Sequence, residues 1–474
     1  MGRRGAQDNR DATPRALVYA PPMSETHDVV VVGAGLAGLT VAETLVAGGA
    51  RVAVLEARGR VGGRTELLDF EGTPFDLGAQ WIGPTQHRMI ALAKRFGMAS
   101  FKTFHEGERR MWMGGKMRRW KGRIPSLSPL ELVEMQLSVW KLDRLADRVP
   151  VDAPWTKDDA LALDHRSLAA WRDEQLRSRR SRELFDISVR TVLGVEPAEV
   201  SALWFLFYMR SGENYLSHTE IDGGSQESRL VDGAGAFAQR LAAGLGDRVV
   251  LDAPVRAVSQ RADHVVVTSD RGEHRARHVV LCVPPSLLPR VTFDPAPEPA
   301  RARLWGRMPM GATVKVTGVY DAAFWRAQGV AGELVSDEGP VSYVVDSSSH
   351  DGKVASLLGF VVGRHARTWS MTPKDERLDQ VRAQLGRWFG PQAAKPRAMV
   401  EKDWAEDPWT GGCPVCNPVP TTLAVEGRYL RAPMGRVHFA GTETATAWAG
   451  YMEGAVQSGE RAAAEVQARL RASR

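Results

Sequence analysis

Four consecutive valines, Val29 to Val32, run straight into Gly33-Ala34-Gly35-Leu36-Ala37-Gly38, and a helical pattern follows to about Ala47. No other stretch restricts the fold so tightly. An unbroken β-branched run reads as a strand buried on both faces, the habit of a parallel sheet. The first glycine allows a tight turn, the second lets backbone approach a pyrophosphate, and the third lets helix pack on strand. The helix N-terminus then offers unpaired N–H groups and partial positive charge to phosphates. Arg51 to Leu55 reads as the next strand and runs into Glu56, where a carboxylate can accept from a ribose hydroxyl. Gly33, Gly35, Gly38 and Glu56 are therefore expected to hold a dinucleotide.

NAD and FAD both fit that fingerprint. The next segment, Ala57 to Arg64, adds Gly62-Gly63 flanked by Arg58 and Arg64. Backbone and guanidinium groups there can approach more of a long, doubly phosphorylated cofactor. An isolated basic turn of this kind, however, is more often plain surface.

At 474 residues the chain exceeds one ordinary core, so two domains or a chain shuttling between two are expected. With 43% hydrophobic residues it is too apolar to be disordered, and three cysteines cannot build a disulfide framework. The net charge of +6, with both signs interspersed, gives no nucleic-acid footprint. No run of about 18 apolar residues suggests a membrane span. Residues 1–22 lack the apolar region of a signal peptide, so a loose arm over 1–26 is expected, with Met23 an alternative start. A cytoplasmic location follows as the expectation. One oddity is that tryptophan (14) outnumbers tyrosine (7).

Further along, Leu130 to Arg148 and Leu168 to Phe185 read as amphipathic, charge-laced helices. Val249 to Val267, His278 to Val283, Thr313 to Tyr320 and Val354 to Val362 are strand-like. The last unit is a strand at Val437 to Ala440, a glycine-rich loop and a helix from about Met452 to Leu470. Strand units rich in glycine at the start, middle and end suggest one nucleotide-binding domain assembled from separated segments.

Val31 to Arg64 resembles the flavin-containing amine oxidases, the monoamine oxidase group. Leu77 to Arg88, Glu199 to Leu206, Gly223 to Glu227, Pro309 to Val316 and Phe439 to Arg461 are similar to family segments in the same order. The resemblance runs from about Asp28 to Leu470. It implies an α/β fold: a discontinuous Rossmann-like FAD-binding domain (27–100, 225–300, 405–470) and an α+β substrate-binding domain (101–224, 301–404). The implied reaction oxidises an amine to an imine, with dioxygen reduced to hydrogen peroxide. The expected partners are a small-molecule amine and dioxygen, with no nucleic acid and no membrane. A homodimer stays open.

Read alone, Lys315 shares a strand face with Thr313 and Thr317, which suggests a solvated face. The resemblance instead makes it the lysine that holds a water against flavin N5. Tyr451 resembles one wall of the family's aromatic cage for the substrate amine. Trp448, three residues earlier, reads equally well as packing. The second wall would follow Cys413, and Pro414 stands there instead, as in bacterial members of the cyclohexylamine oxidase type. Cys413 matches the position of covalent flavin attachment in mitochondrial members, and with Pro414 beside it non-covalent FAD is favoured. Cys413 and Cys416 also have the spacing of a redox pair, or are two buried thiols.

The resemblance places Trp81, Thr191, Val192, Gln226, Tyr343, Phe360, Pro414 and Tyr451 at the substrate. It places Arg58, Gly63, Arg64, Ala79, Gln80, Trp81, Val255, Trp404, Cys413, Gly441, Thr442, Glu443 and Met452 at the cofactor. A related L-amino-acid oxidase would clamp a carboxylate with arginine. Ala79-Gln80-Trp81 offers no cation, which leaves Arg88 as that alternative's candidate. A desaturase-like flavoprotein, which gives no reason for the Lys315 segment, and a non-catalytic flavin-binding protein are the remaining alternatives.

Overall fold

The computed structural model describes residues 26–122 and 124–472. Apart from Thr26, the expected N-terminal arm lies outside the described residues. Two large sheets organise the rest. The first has eight strands, and His27–Val32 lies inside it, flanked in parallel by Val52–Leu55 and Gly272–Leu281. Val29, Val30 and Val31 are fully buried, which is why the run has no polar alternation. Val437–Phe439 joins the same sheet against Gly272–Leu281 from the far end of the chain.

The helix expected from Leu36 spans Leu36–Ala47 and packs against the final helix, Met452–Ala472. Gly459 permits that approach, because a Cβ there would sit 2.6 Å from the Ala37 carbonyl oxygen.

The second sheet has seven strands, in the order Ala398–Asp403, Thr313–Tyr320, Ala355–Val362, Val341–Asp346, Val330–Ser336, Glu108–Met113 and Lys116–Trp120. Its register sets Lys315 opposite Phe360, and Phe360 opposite Tyr343. Directly opposed residues share a face, so three strands carry these side chains in one row. All eight residues of Thr313–Tyr320 are buried. The solvated face read from alternation is therefore wrong: both faces of this interior strand are covered.

Two other expectations are corrected. The helix over Leu168 to Phe185 is two helices, Leu168–Gln175 and Arg179–Leu193. Leu176 is fully buried between them, and the Glu134 carboxylate accepts the Ser178 N–H at 3.3 Å. A tertiary partner thus holds a break that charge patterning bridges. Val249 to Val267 is divided among Val249–Val250, Val255–Gln260 and Val265–Ser269, with Pro254 in the first gap. Among the described residues no helix is long and apolar enough to cross a membrane.

Candidate active site

One cavity of about 440 Å³ runs from the Gly33–Gly38 turn to the Lys315 row. At the turn, Gly33 has φ +100°, which a side chain rarely adopts. Gly35 is different: among the described residues, nothing beyond its own chain neighbours and helix backbone lies within 4 Å of where its Cβ would be. A side chain there would enter the cavity instead of striking protein. Leu36 and Ala37 bring the first turn of Leu36–Ala47 to the wall, where helical N–H groups lack intrahelical partners. Glu56, buried, accepts from the Ala34 N–H at 2.7 Å and the Arg58 N–H at 3.0 Å. Its carboxylate keeps lone pairs for a ribose hydroxyl.

Arg58 pairs with Asp407 at 2.6 Å, and Arg64 with Glu443 at 2.7 Å. Arg64 also donates to the Pro414 carbonyl at 2.7 Å, tying the Gly62-Gly63 turn to the Cys413-Pro414 loop. Burial works against the Arg64 charge, but Glu443 holds its pKa above the usual arginine value. Gly63, Ala79, Val255, Trp404, Cys413, Gly441, Thr442 and Met452 also line the cavity. Trp404 is fixed by its indole N–H donating to the Leu77 carbonyl at 3.0 Å.

Two expected cofactor residues are not on the wall. A Cβ at Gly38 would fall 1.9 Å from the Gly33 carbonyl oxygen, so its part is the close strand-to-helix packing. Glu443 sits behind the wall, holding Arg64 and accepting from the Cys416 N–H at 3.3 Å. Arg88, the candidate carboxylate clamp, pairs with Glu453 at 3.2 Å and Glu460 at 2.7 Å, and does not line the cavity.

The other end is aromatic. Trp81 and Tyr343 each lie 6.0 Å, centroid to centroid, from Phe360. Thr191 and Val192 enter from the last turn of Arg179–Leu193, and Pro414, Gln226 and Tyr451 complete the lining. Lys315 Nζ donates to the carbonyls of Asp76 at 2.8 Å and Gly78 at 2.9 Å, and to Gln80 Oε1. It lies 5.8 Å from the Trp81 ring centroid and 6.0 Å from that of Phe360. Burial pulls its pKa down to about 7, opposed by nearby Asp76. Burial likewise pushes the Cys413 thiol up to about 11.

Two neighbours of Tyr451 carry no motif that marks them in the sequence. Tyr208 lines the cavity, its ring centroid 6.0 Å from that of Tyr451, and His218 binds the Tyr451 hydroxyl from behind. The available signal for Tyr208 is a phenol within the apolar helix Ala202–Ser211. Trp448 packs edge-on against Tyr451, with ring centroids 5.0 Å apart, and stays off the cavity wall.

The lining suits a dinucleotide that also carries a flat reactive ring. Trp81 Nε1, Gln226 Oε1, Thr313 Oγ1 and Thr410 Oγ1 belong to lining residues, are buried and, among the described residues, have no hydrogen-bond partner. Such atoms are destabilising unless a ligand or water satisfies them. A glycine cradle joined to an aromatic chamber is the build of a redox enzyme that holds a dinucleotide cofactor.

Comparison with known proteins gives the family. The profile described as "Flavin containing amine oxidoreductase" matches residues 36–467. A flavin-containing amine oxidase of Danio rerio is 36% identical over 450 residues, 94% of this chain and 86% of that protein. The structure of cyclohexylamine oxidase from Brevibacterium oxydans is similar at a TM-score of 0.90 and 35% identity, covering 94% of this chain and 100% of that one. Wild-type putrescine oxidase bound to putrescine is similar at 0.90 and 30%, with 94% and 100% covered. The chain belongs to the flavin-containing amine oxidoreductases. It uses FAD to oxidise amines.

Proposed function

We propose that the substrate is a hydrophobic primary amine, held neutral at the aromatic end and released as an imine. Hydrolysis of the imine gives an aldehyde or ketone and ammonia, and dioxygen becomes hydrogen peroxide. The supporting observation is the chamber's chemistry. Trp81, Phe360, Tyr343 and Val192 bring apolar surface, while Arg88 is committed to two glutamates elsewhere. A substrate carboxylate would meet no arginine clamp there, which disfavours an amino acid.

In this reading the Gly33–Gly38 turn, Glu56, Arg58 and Arg64 hold the dinucleotide, and Trp81, Trp404 and Met452 bound the ring. Bound FAD supplies the acceptor for the hydride equivalent and passes electrons on to dioxygen. Tyr451 and Phe360 orient the amine. Gln226 offers it a carbonyl oxygen, and the apolar walls exclude water. Lys315 places positive charge where negative charge develops on oxygen. We read segments 27–100, 225–300 and 405–470 as the cofactor half and 101–224 and 301–404 as the substrate half, in a cytoplasmic enzyme.

A peroxide-coupled screen over cyclohexylamine, benzylamine, diamines and L-amino acids tests the substrate class. Peroxide from the two hydrophobic monoamines, well above that from diamines and amino acids, is expected. Preference for an L-amino acid or a diamine contradicts it.

A further inference from the structure

Tyr451 and Pro414 both line the substrate end of the cavity. The Tyr451 hydroxyl meets Tyr208 and Ser225 on the cavity side, and a histidine outside the cavity holds it from the other. His218 lies on the short helix Tyr215–Thr219, opened by Asn214, whose side chain accepts the Ser217 N–H at 3.0 Å. Its imidazole is fully buried, and Nδ1 lies 2.9 Å from the Tyr451 hydroxyl oxygen. Tyr208 and Trp448 pack around it, with ring centroids 5.1 and 5.3 Å away. Gly212 makes the room, since a Cβ there would lie 2.5 Å from His218 Nε2.

The same residue reaches a second cavity side chain. The His218 carbonyl oxygen accepts from the Gln226 side-chain amide at 3.0 Å. That bond fixes the amide's orientation and leaves Gln226 Oε1, buried and unpartnered among the described residues, as the free acceptor. One short helix thus sets both the aromatic wall and the polar acceptor of the chamber.

We propose that His218 is the positioning residue of the substrate chamber: its side chain locks the Tyr451 ring and its backbone aims the Gln226 oxygen. Burial keeps the imidazole neutral, with its pKa pulled down to about 4, so at neutral pH it bonds the phenol without introducing charge beside the amine. It touches no substrate, and its effect travels through Tyr451. The inference rests on the amine-oxidase reading of the cavity.

The test is a double-mutant cycle on the holoenzyme, with His218→Leu, His218→Asn and Tyr451→Phe. Anaerobic flavin reduction by cyclohexylamine and the resting flavin absorption spectrum are both measured. Asparagine can place a hydrogen-bonding atom near the Nδ1 position, whereas leucine cannot. The expected result is reduction slowed about fivefold in His218→Leu, the size of one neutral hydrogen bond. His218→Asn should stay close to wild type. In the Tyr451→Phe background His218→Leu should add almost nothing, because the hydroxyl it acts through is gone. The resting spectrum should shift in His218→Leu and Tyr451→Phe but not in His218→Asn.

Equal slowing by His218→Leu with and without the Tyr451 hydroxyl overturns the inference, as does an unaltered rate and spectrum in that variant. If His218→Leu does not fold, the inference is overturned by Tyr451→Phe behaving as wild type. Wild-type enzyme that no amine reduces refutes the substrate reading instead, and the spectra then decide the inference alone.

Discussion

Lys315 is a cation in a place that resists charge. Its three acceptors hold an ammonium in fixed geometry, while burial brings its pKa to about 7. Below that value it is protonated, and above it the charge is lost. If the charge assists reduction of dioxygen, the oxygen half-reaction slows as pH rises through about 7. Lys315→Met should remove that step and slow the oxygen half-reaction roughly 100-fold, as deletion of a preorganised charge partner does. Amine-driven reduction should change little. Stopped-flow measurement of the two halves separates them, and equal slowing of both removes the role. Cys413 makes the opposite case. Its thiol, raised to about 11, is almost wholly protonated at neutral pH, and the thiolate is the reactive form. Acid precipitation should therefore give a colourless pellet under a yellow supernatant. A yellow pellet means a covalent bond.

Among the elements, the turn between the first strand and helix is the one built for a ligand. Gly33 and Gly38 are constrained by protein: one by φ +100°, the other by a carbonyl 1.9 Å from where its Cβ would sit. Gly35 answers to neither constraint, and its open side faces the cavity. Gly35→Val should thus leave a folded protein that has lost FAD affinity by on the order of 100-fold, or about 2.7 kcal/mol. Flavin titration of the apo-protein reads this, with a melting curve as the folding control. An unchanged affinity would mean that the cofactor does not pass over the turn. The row of Lys315, Phe360 and Tyr343 is an element property too. Register across three strands converts three positions distant in sequence into one wall.

Across the whole molecule, legibility follows the range of the interaction. The strand–turn–helix unit was readable because its constraints are local: four valines, three spaced glycines and a helix that begins at Leu36. Lys315 was not readable from alternation, since covering both faces of its strand takes helices and loops from elsewhere in the chain. Only resemblance pointed to a buried role. His218 gave no signal at all, because its partner Tyr451 lies 233 residues away and the space for it is made by a glycine, Gly212. Glu443 has a long-range partner too: its place in the last motif suggests cofactor contact, and the fold pairs it with Arg64, 379 residues away.

The central claim is that this cavity joins a flavin to a neutral hydrophobic amine. Anaerobic addition of cyclohexylamine to the purified yellow protein measures it most directly. The flavin's visible absorption should bleach, and readmitted air should restore it with one hydrogen peroxide per amine consumed. Persistent yellow colour under that amine and a broad panel of other primary amines would contradict the account.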